Sequence, residues 1–170
     1  MRDSFLAFLR FWLLQGVTVF VVMLSPLYIF QQKLVSTSAT VVVGSTLFLV
    51  GVLIEAIADA QKYRFNSDPR KKGKWIDEGI WRISRHPNYL GEIAVWVGMY
   101  IIASTVLSGS ALLLAALSPL FIVCLLLFVS GVPLLEKSAT KRWGTDKKYI
   151  GYKSEVPVLM PSISSIKRLF

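Results

Sequence analysis

The chain has 170 residues, 54% of them apolar and only 17% charged, with a mean hydropathy of +0.58. That balance excludes both an ordinary soluble domain and a disordered chain. One Cys and one His exclude a disulfide framework, a zinc finger and any cage of clustered His and Cys, so no metal is expected. Lysine and arginine number 19 against 10 acids, a net charge of +9 that would suggest nucleic acid if the bases had no other reason to gather.

They have one. Phe11 to Gln32 carries no charge over 22 residues, and Leu34 to Ile54 none over 21. Ile93 to Leu135 is uncharged for 43 residues, with one polar break at Ser108-Gly109-Ser110. About 20 apolar residues cross a ~30 Å hydrocarbon core, so the long run reads as two crossings joined by a hairpin. The sequence thus predicts an all-α integral membrane protein, one domain over 1–170, with four transmembrane helices at about 11–32, 34–54, 88–107 and 111–135. The polar segments are 55–87 and 136–170. The first run is too long for a signal-peptide core, contains Pro26 and lacks a small-x-small site before Gln31, so it reads as a retained span. Pro26 is expected to kink it, a break that membrane helices tolerate when a neighbour satisfies the freed carbonyl.

Counting bases between spans gives an orientation. Arg2 and Arg10 precede the first span, eight bases lie in 55–92 and eight follow Glu136, whereas the opposite loops hold Lys33 and nothing. Eighteen of the 19 bases therefore share one face, and the positive-inside rule places that face and both termini in the cytoplasm. The expected partners are membrane lipid and a hydrophobic small molecule, with no nucleic acid.

The polar segments mix acids with bases, more than a surface anchor needs. Glu55 and Asp59 share a helix face at the polar end of the second span and are expected to point into the bundle near Asn88, because acids at that depth are costly in lipid. In Arg85-His86-Pro87-Asn88-Tyr89-Leu90-Gly91-Glu92, Pro87 suits the first position of a helix. Asn88, Tyr89 and Glu92 then fall on one side of its first turns, Asn88 and Glu92 facing the same cavity as Asp59; Gly91 leaves room for a close backbone or a flat ligand, and Arg85 and His86, expected at the cavity's mouth, flank an anion-binding helix start. Glu136, at the edge of the last span, lacks a partner three or four residues on and is expected to find one in the 55–92 segment. Tyr149 and Tyr152, one turn apart, read either as an interfacial belt with Trp143 or as a wall closing a site.

The run Gly79 to Glu92 resembles the signature of steroid 5α-reductase-like membrane proteins, especially their uncharacterised bacterial members. Glu55-Ala56-Ile57-Ala58-Asp59-Ala60-Gln61-Lys62 and Ser130-Gly131-Val132-Pro133-Leu134-Leu135-Glu136-Lys137 extend the resemblance over roughly residues 45–161. The shared half also occurs in sterol reductases, which bind NADPH, and in isoprenylcysteine carboxyl methyltransferases, which bind S-adenosylmethionine. The resemblance implies a cytoplasm-facing cofactor pocket formed by the polar segments. Its cofactor-binding set would be Glu55, Asp59, Arg64, Arg85, His86, Asn88, Tyr89, Glu92, Glu136, Arg142, Tyr149 and Tyr152.

Asn-x-x-Gly-Glu at 88–92 and Asp59 look like the reductase form, whereas the Glu136, Tyr149, Tyr152 and Pro161 tail looks like the methyltransferase pattern. The implied activity is NADPH-dependent reduction of an enone double bond in a lipid or steroid-like substrate. The alternatives are S-adenosylmethionine-dependent methyl transfer to a lipid or isoprenyl substrate, and a non-catalytic lipid-binding protein. No Gly-x-Gly-x-x-Gly occurs, so a Rossmann site has no support. The 5α-reductases carry further helices bearing the groups that polarise the substrate carbonyl. Here only Gln15 and Tyr28 in the first span are candidates, and a second copy or partner chain is one way to complete the site.

Overall fold

The computed structural model describes residues 5–31 and 37–169; Arg2 and Lys33, used above for orientation, lie outside them. It is built of helices: α1 (Phe5–Val22), α2 (Leu24–Phe30), α3 (Ala39–Ser67), α4 (Pro87–Ala103), α5 (Gly109–Cys124), α6 (Val132–Trp143), α7 (Lys147–Glu155) and α8 (Ile163–Ile166). Two helices are long and apolar enough to cross a membrane, α3 and the near-continuous Gly109–Trp143, which joins α5 to α6 through a π-helical turn at Leu125–Val129. Counting α1 and α2, bent by 51°, as one span raises the number to three. The expected crossing at 88–107 is the 17-residue α4, about 26 Å long at 1.5 Å per residue and so shorter than a usual span. It stops at Ala103, where the Ser104 and Thr105 hydroxyls donate to the Ile101 and Ile102 carbonyls, both at 2.7 Å.

The helices also run past the expected boundaries. α3 begins at the Ser38 cap, whose hydroxyl accepts from the Val41 amide, and continues 13 residues beyond Ile54. Its buried positions are Gly44, Gly51, Ala58 and Phe65, one every seven residues. α4 answers with Gly91 and Gly98, also seven apart and buried. A Cβ on Gly51 would stand 2.7 Å from the Gly91 carbonyl oxygen, and one on Gly98 2.7 Å from that of Gly44. These pairs make the two helices antiparallel with backbones in contact, on the seven-residue spacing that a long helix pair uses to stay in contact. The room left by Gly91 is therefore taken by α3.

On the other side of α4, Tyr89, Ile93 and Trp96 pack on a core of Val22, Ile122 and Leu126. Two proline breaks meet beside it. Pro26 cannot bond the Val22 carbonyl, and Pro119 cannot bond that of Ala115. The residue before each proline serves the other helix: Ser118 Oγ donates to the Val22 oxygen at 2.6 Å, and Ser25 Oγ to the Ala115 oxygen at 2.9 Å. Both serines are fully buried. The expected kink at Pro26 is thus real, and its freed carbonyl is satisfied by a neighbour.

Replacing Ser25 by Ala should lower unfolding stability in detergent by about 1–3 kcal/mol, the scale for orphaning a buried acceptor. In a Pro119→Ala background the loss should shrink, because the restored amide can bond the Ala115 carbonyl itself. Equal losses in both backgrounds, measured by thermal unfolding, would refute the reciprocal arrangement.

Candidate functional site

Past the apolar ends of α3 and α4 the polar segments fold into a second core. Tyr149, Tyr152 and Val156 are its buried centre, with Trp75, Ala139 and Trp143 packed around them. Trp75 lies edge-on to Tyr149 at 5.3 Å and to Trp143 at 6.2 Å between ring centres. The tyrosines are therefore walls of a core and not an interfacial belt. Burial, together with the Glu136 carboxylate beside Tyr149, pushes both phenol hydroxyls above their ordinary range, so both stay neutral at physiological pH.

Three segments distant in sequence are stitched to this core. The Trp81 indole donates to the Ala58 carbonyl of α3 at 3.1 Å, and the Tyr152 hydroxyl donates to the Trp81 carbonyl at 2.9 Å. The Trp143 indole holds the loop below α3 through the Gly73 carbonyl at 2.7 Å. The chain after α7 runs beside the start of α4, accepting the Arg85 amide on Pro157 at 2.9 Å and the His86 amide on Val158 at 3.1 Å.

Glu136 sits where these segments converge. One carboxylate oxygen accepts from Arg85 at 2.6 Å and lies 3.2 Å from Lys153, while the other faces His86 Nε2 at 3.0 Å. The expected partner from the 55–92 segment is thus a pair, Arg85 and His86, joined by a lysine from the tail. The His86 contact requires a proton on Nε2. The His86 ring stacks on Tyr89 at 5.5 Å and 10°.

Beside this hub lies a cavity of about 270 Å³. Aromatic rings from Phe65, Trp75, Trp81, Trp143, Tyr149 and Tyr152 line it, together with Lys62, Lys74, Arg85 and Arg142. Glu136 is the one carboxylate among the lining residues, and it is already engaged by three basic groups. The buried Arg85 Nε and Trp75 Nε1 have no hydrogen-bond partner among the described residues. The surface can hold a planar ring against its aromatic wall and an anion against its cations.

Of the twelve residues expected to form one pocket, the cavity gathers Arg85, His86, Glu136, Arg142, Tyr149 and Tyr152. Arg85 and His86 are wall residues, largely buried, and do not stand at a mouth as charge alone suggests. The other six do not line it. Asn88, Tyr89, Glu92 and Glu55 are half-buried along the α3–α4 seam, where Gly91 abuts Glu55, and Asp59 and Arg64 are exposed on α3. Glu92 lies within electrostatic reach of both Glu55 and Asp59. Sequence reasoning missed Trp75, Trp81 and Phe65 as lining residues. Phe65 was marked by the seven-residue repeat from Gly44, and Trp75 by standing as a large ring inside a lysine-rich loop.

Glu136→Gln should remove about 1.5–3 kcal/mol of stability, the range for hydrogen bonds to charged groups, because Arg85 and Lys153 lose their counter-charge and His86 its acceptor in a largely buried place. Glu155→Gln, which removes an exposed pair with Arg168, should cost under about 1 kcal/mol. Parallel thermal melts of the two variants check this; equal losses would remove Glu136 from its central position.

Among curated proteins the chain is similar to a Delta(14)-sterol reductase of Arabidopsis thaliana, 30% identical over 76 residues. The match takes in 39% of this chain but only 21% of the plant protein, so the chain spans about a fifth of the relative it matches. No solved structure matches. The likeness supports a steroid-reductase-like family over part of the chain. The broader match runs from residue 2 to residue 156, and on it the chain belongs to the family described as a protein of unknown function, DUF1295.

Proposed function

We propose that this membrane protein is a reductase that holds NADPH in the cavity beside Glu136 and reduces an enone double bond of a lipid or steroid-like substrate. The observation that carries the reading is the charge of the cavity. Lys62, Lys74 and Arg142 line it, and its single carboxylate, Glu136, is already paired with Arg85 and Lys153, a lining that favours an anionic dinucleotide. The aromatic wall offers flat faces for its rings. The likeness to a sterol reductase supports the same class of chemistry.

In this reading Lys62, Lys74 and Arg142 take the phosphates, and Trp75, Trp81 and Tyr149 pack the rings. At about 270 Å³ the cavity is slightly below the usual ~300 Å³ for a ligand site and so takes one end of a dinucleotide. Asn88, Tyr89 and Glu92, with Glu55 and Asp59 of α3, are the proposed contacts for the rest. Bound NADPH would supply the hydride, and the protein's part is to bind, orient and exclude water. Glu136 does not touch the ligand in this account; it holds Arg85 and His86 in the wall.

The methyltransferase alternative draws on the ring cluster of Trp75, Trp143, Tyr149 and Tyr152, since aromatic faces attract a sulfonium. Lys62, Lys74 and Arg142 around it oppose a cationic ligand. We also propose that α1–α2, α3, α4 and α5–α6 all cross the membrane, α4 travelling the same depth as α3 along the glycine seam, with the cavity and both termini cytoplasmic. A tag at Ser108–Ser110 should then react only from the outside, and labelling from the cytoplasm would overturn the four-span topology.

Titrating purified protein in nanodiscs and following tryptophan emission tests the cofactor. NADPH should bind, and Arg142→Ala should weaken it about tenfold, equivalent to ~1.4 kcal/mol. The unfolding temperature should hold, since Arg142 is exposed. Binding of S-adenosylmethionine without NADPH would establish the methyltransferase reading, and binding of neither would leave lipid as the ligand.

A further inference from the structure

The segment after α7 carries a surface that the cavity does not use. Met160 and Ile163 are 67% and 80% exposed, and Ile166 and Leu169 are exposed as well. These four apolar residues recur every third position. From Ile163 onward they lie on α8 and the 3₁₀ turn Lys167–Leu169, where such spacing keeps side chains on one side, about 60° apart per step on the α-helical part and nearly in line on the 3₁₀ turn. Lys167 and Arg168 sit between Ile166 and Leu169; Arg168 is paired with Glu155, and Lys167 is in no ion pair among the described residues. A capping box fixes the start of the element, with Ser162 and Ser165 each accepting the other's amide through its side chain.

The depth of this element can be read from α3. Twenty residues from Ala39 end at Ala58, which at 1.5 Å per residue is about 30 Å, the thickness of the hydrocarbon core. The Trp81 indole is bonded to the Ala58 carbonyl, and two residues later the Ile83 carbonyl accepts the buried Ser165 hydroxyl at 3.0 Å. The Lys167–Leu169 turn also packs on the Gly79–Arg82 turn. With α3 crossing as proposed above, the exposed apolar row is tied to the segment packed on the polar end of that span, next to Lys167.

We infer that residues 160–169 form an interfacial anchor whose apolar row enters the headgroup boundary of an anionic bilayer. Amphipathic elements with apolar side chains and flanking bases partition to that depth. Because Pro157 and Val158 hold the Arg85 and His86 amides, the anchor fastens the cavity wall to the membrane surface. The anchor does not depend on which cofactor the cavity holds.

The test uses the full chain in vesicles of mixed phosphatidylglycerol and phosphatidylcholine. In a Cys124→Ser background, Ile163→Cys and, separately, Lys72→Cys carry a polarity-sensitive fluorophore; Lys72 lies in the loop beyond the end of α3. The Ile163 probe should be blue-shifted relative to the Lys72 probe, lose emission to lipid brominated near the headgroup, and resist aqueous iodide. The Lys72 probe should show the reverse. Iodide quenching of both probes alike would overturn the anchor. So would protection of the Ile163 probe from both quenchers, which would mean that protein, such as a second copy, covers the row.

Discussion

Gly51 and Gly91 meet backbone to backbone, and that contact sets the geometry of the polar end. A Cβ at Gly91 would lie 2.6 Å from the Gly51 carbonyl oxygen, and the Gly44–Gly98 pair repeats the contact two turns away. Such a seam admits one register, since sliding by a single residue would bring side chains into the place of glycines. Fixing α4 against α3 in turn fixes where α4 begins, with Arg85 and His86 immediately before Pro87 at its first position. Ala58 and Phe65 continue the repeat on α3 beyond the glycines. There the packing is no longer helix on helix, because Trp81 bonds to the Ala58 carbonyl and Phe65 lines the cavity.

The second constraint is the cost of a polar group without a partner where water is scarce. It explains why the two serine–proline pairs face one another, each hydroxyl serving the carbonyl that the other helix's proline cannot reach. It also explains Glu136, which draws one basic group from before α4, its neighbour His86, and Lys153 from α7. A carboxylate so placed links three segments that the sequence keeps 50 residues or more, or one helix, apart. With Arg85 held by this carboxylate, the other cations that line the cavity are Lys62, Lys74 and Arg142.

The apolar runs made the helical membrane class legible, and Pro87, Pro26 and the need of Glu136 for a partner were legible from local chemistry. What composition obscured was where helices end. α3 continues through Glu55, Asp59, Lys62 and Arg64 because these are adequate helix formers, and charge marks the end of lipid without ending a helix. The same confusion of charge with boundary made Arg85 and His86 look like mouth residues, when both side chains are largely buried against Glu136 and their amides bond to Pro157 and Val158. The cavity's aromatic wall was legible only in part. Tyr149 and Tyr152 announce themselves by their spacing, but Trp75 joins them through folding of a loop, and no periodicity in that loop records the contact.

The division of the twelve expected residues follows from the same physics. Those that line the cavity belong to segments bound to the Glu136 hub, whereas Asn88, Tyr89 and Glu92 ride on the next two turns of α4, which the glycine seam aims along α3. Tyr89 touches both regions, stacking on His86 and packing on the core around Val22 and Leu126. A ring shared in this way couples the cavity wall to the apolar bundle. Any movement of α4 along its seam would displace the imidazole from Glu136. The seam forbids that sliding, so the polar site inherits its rigidity from glycines that carry no chemistry of their own.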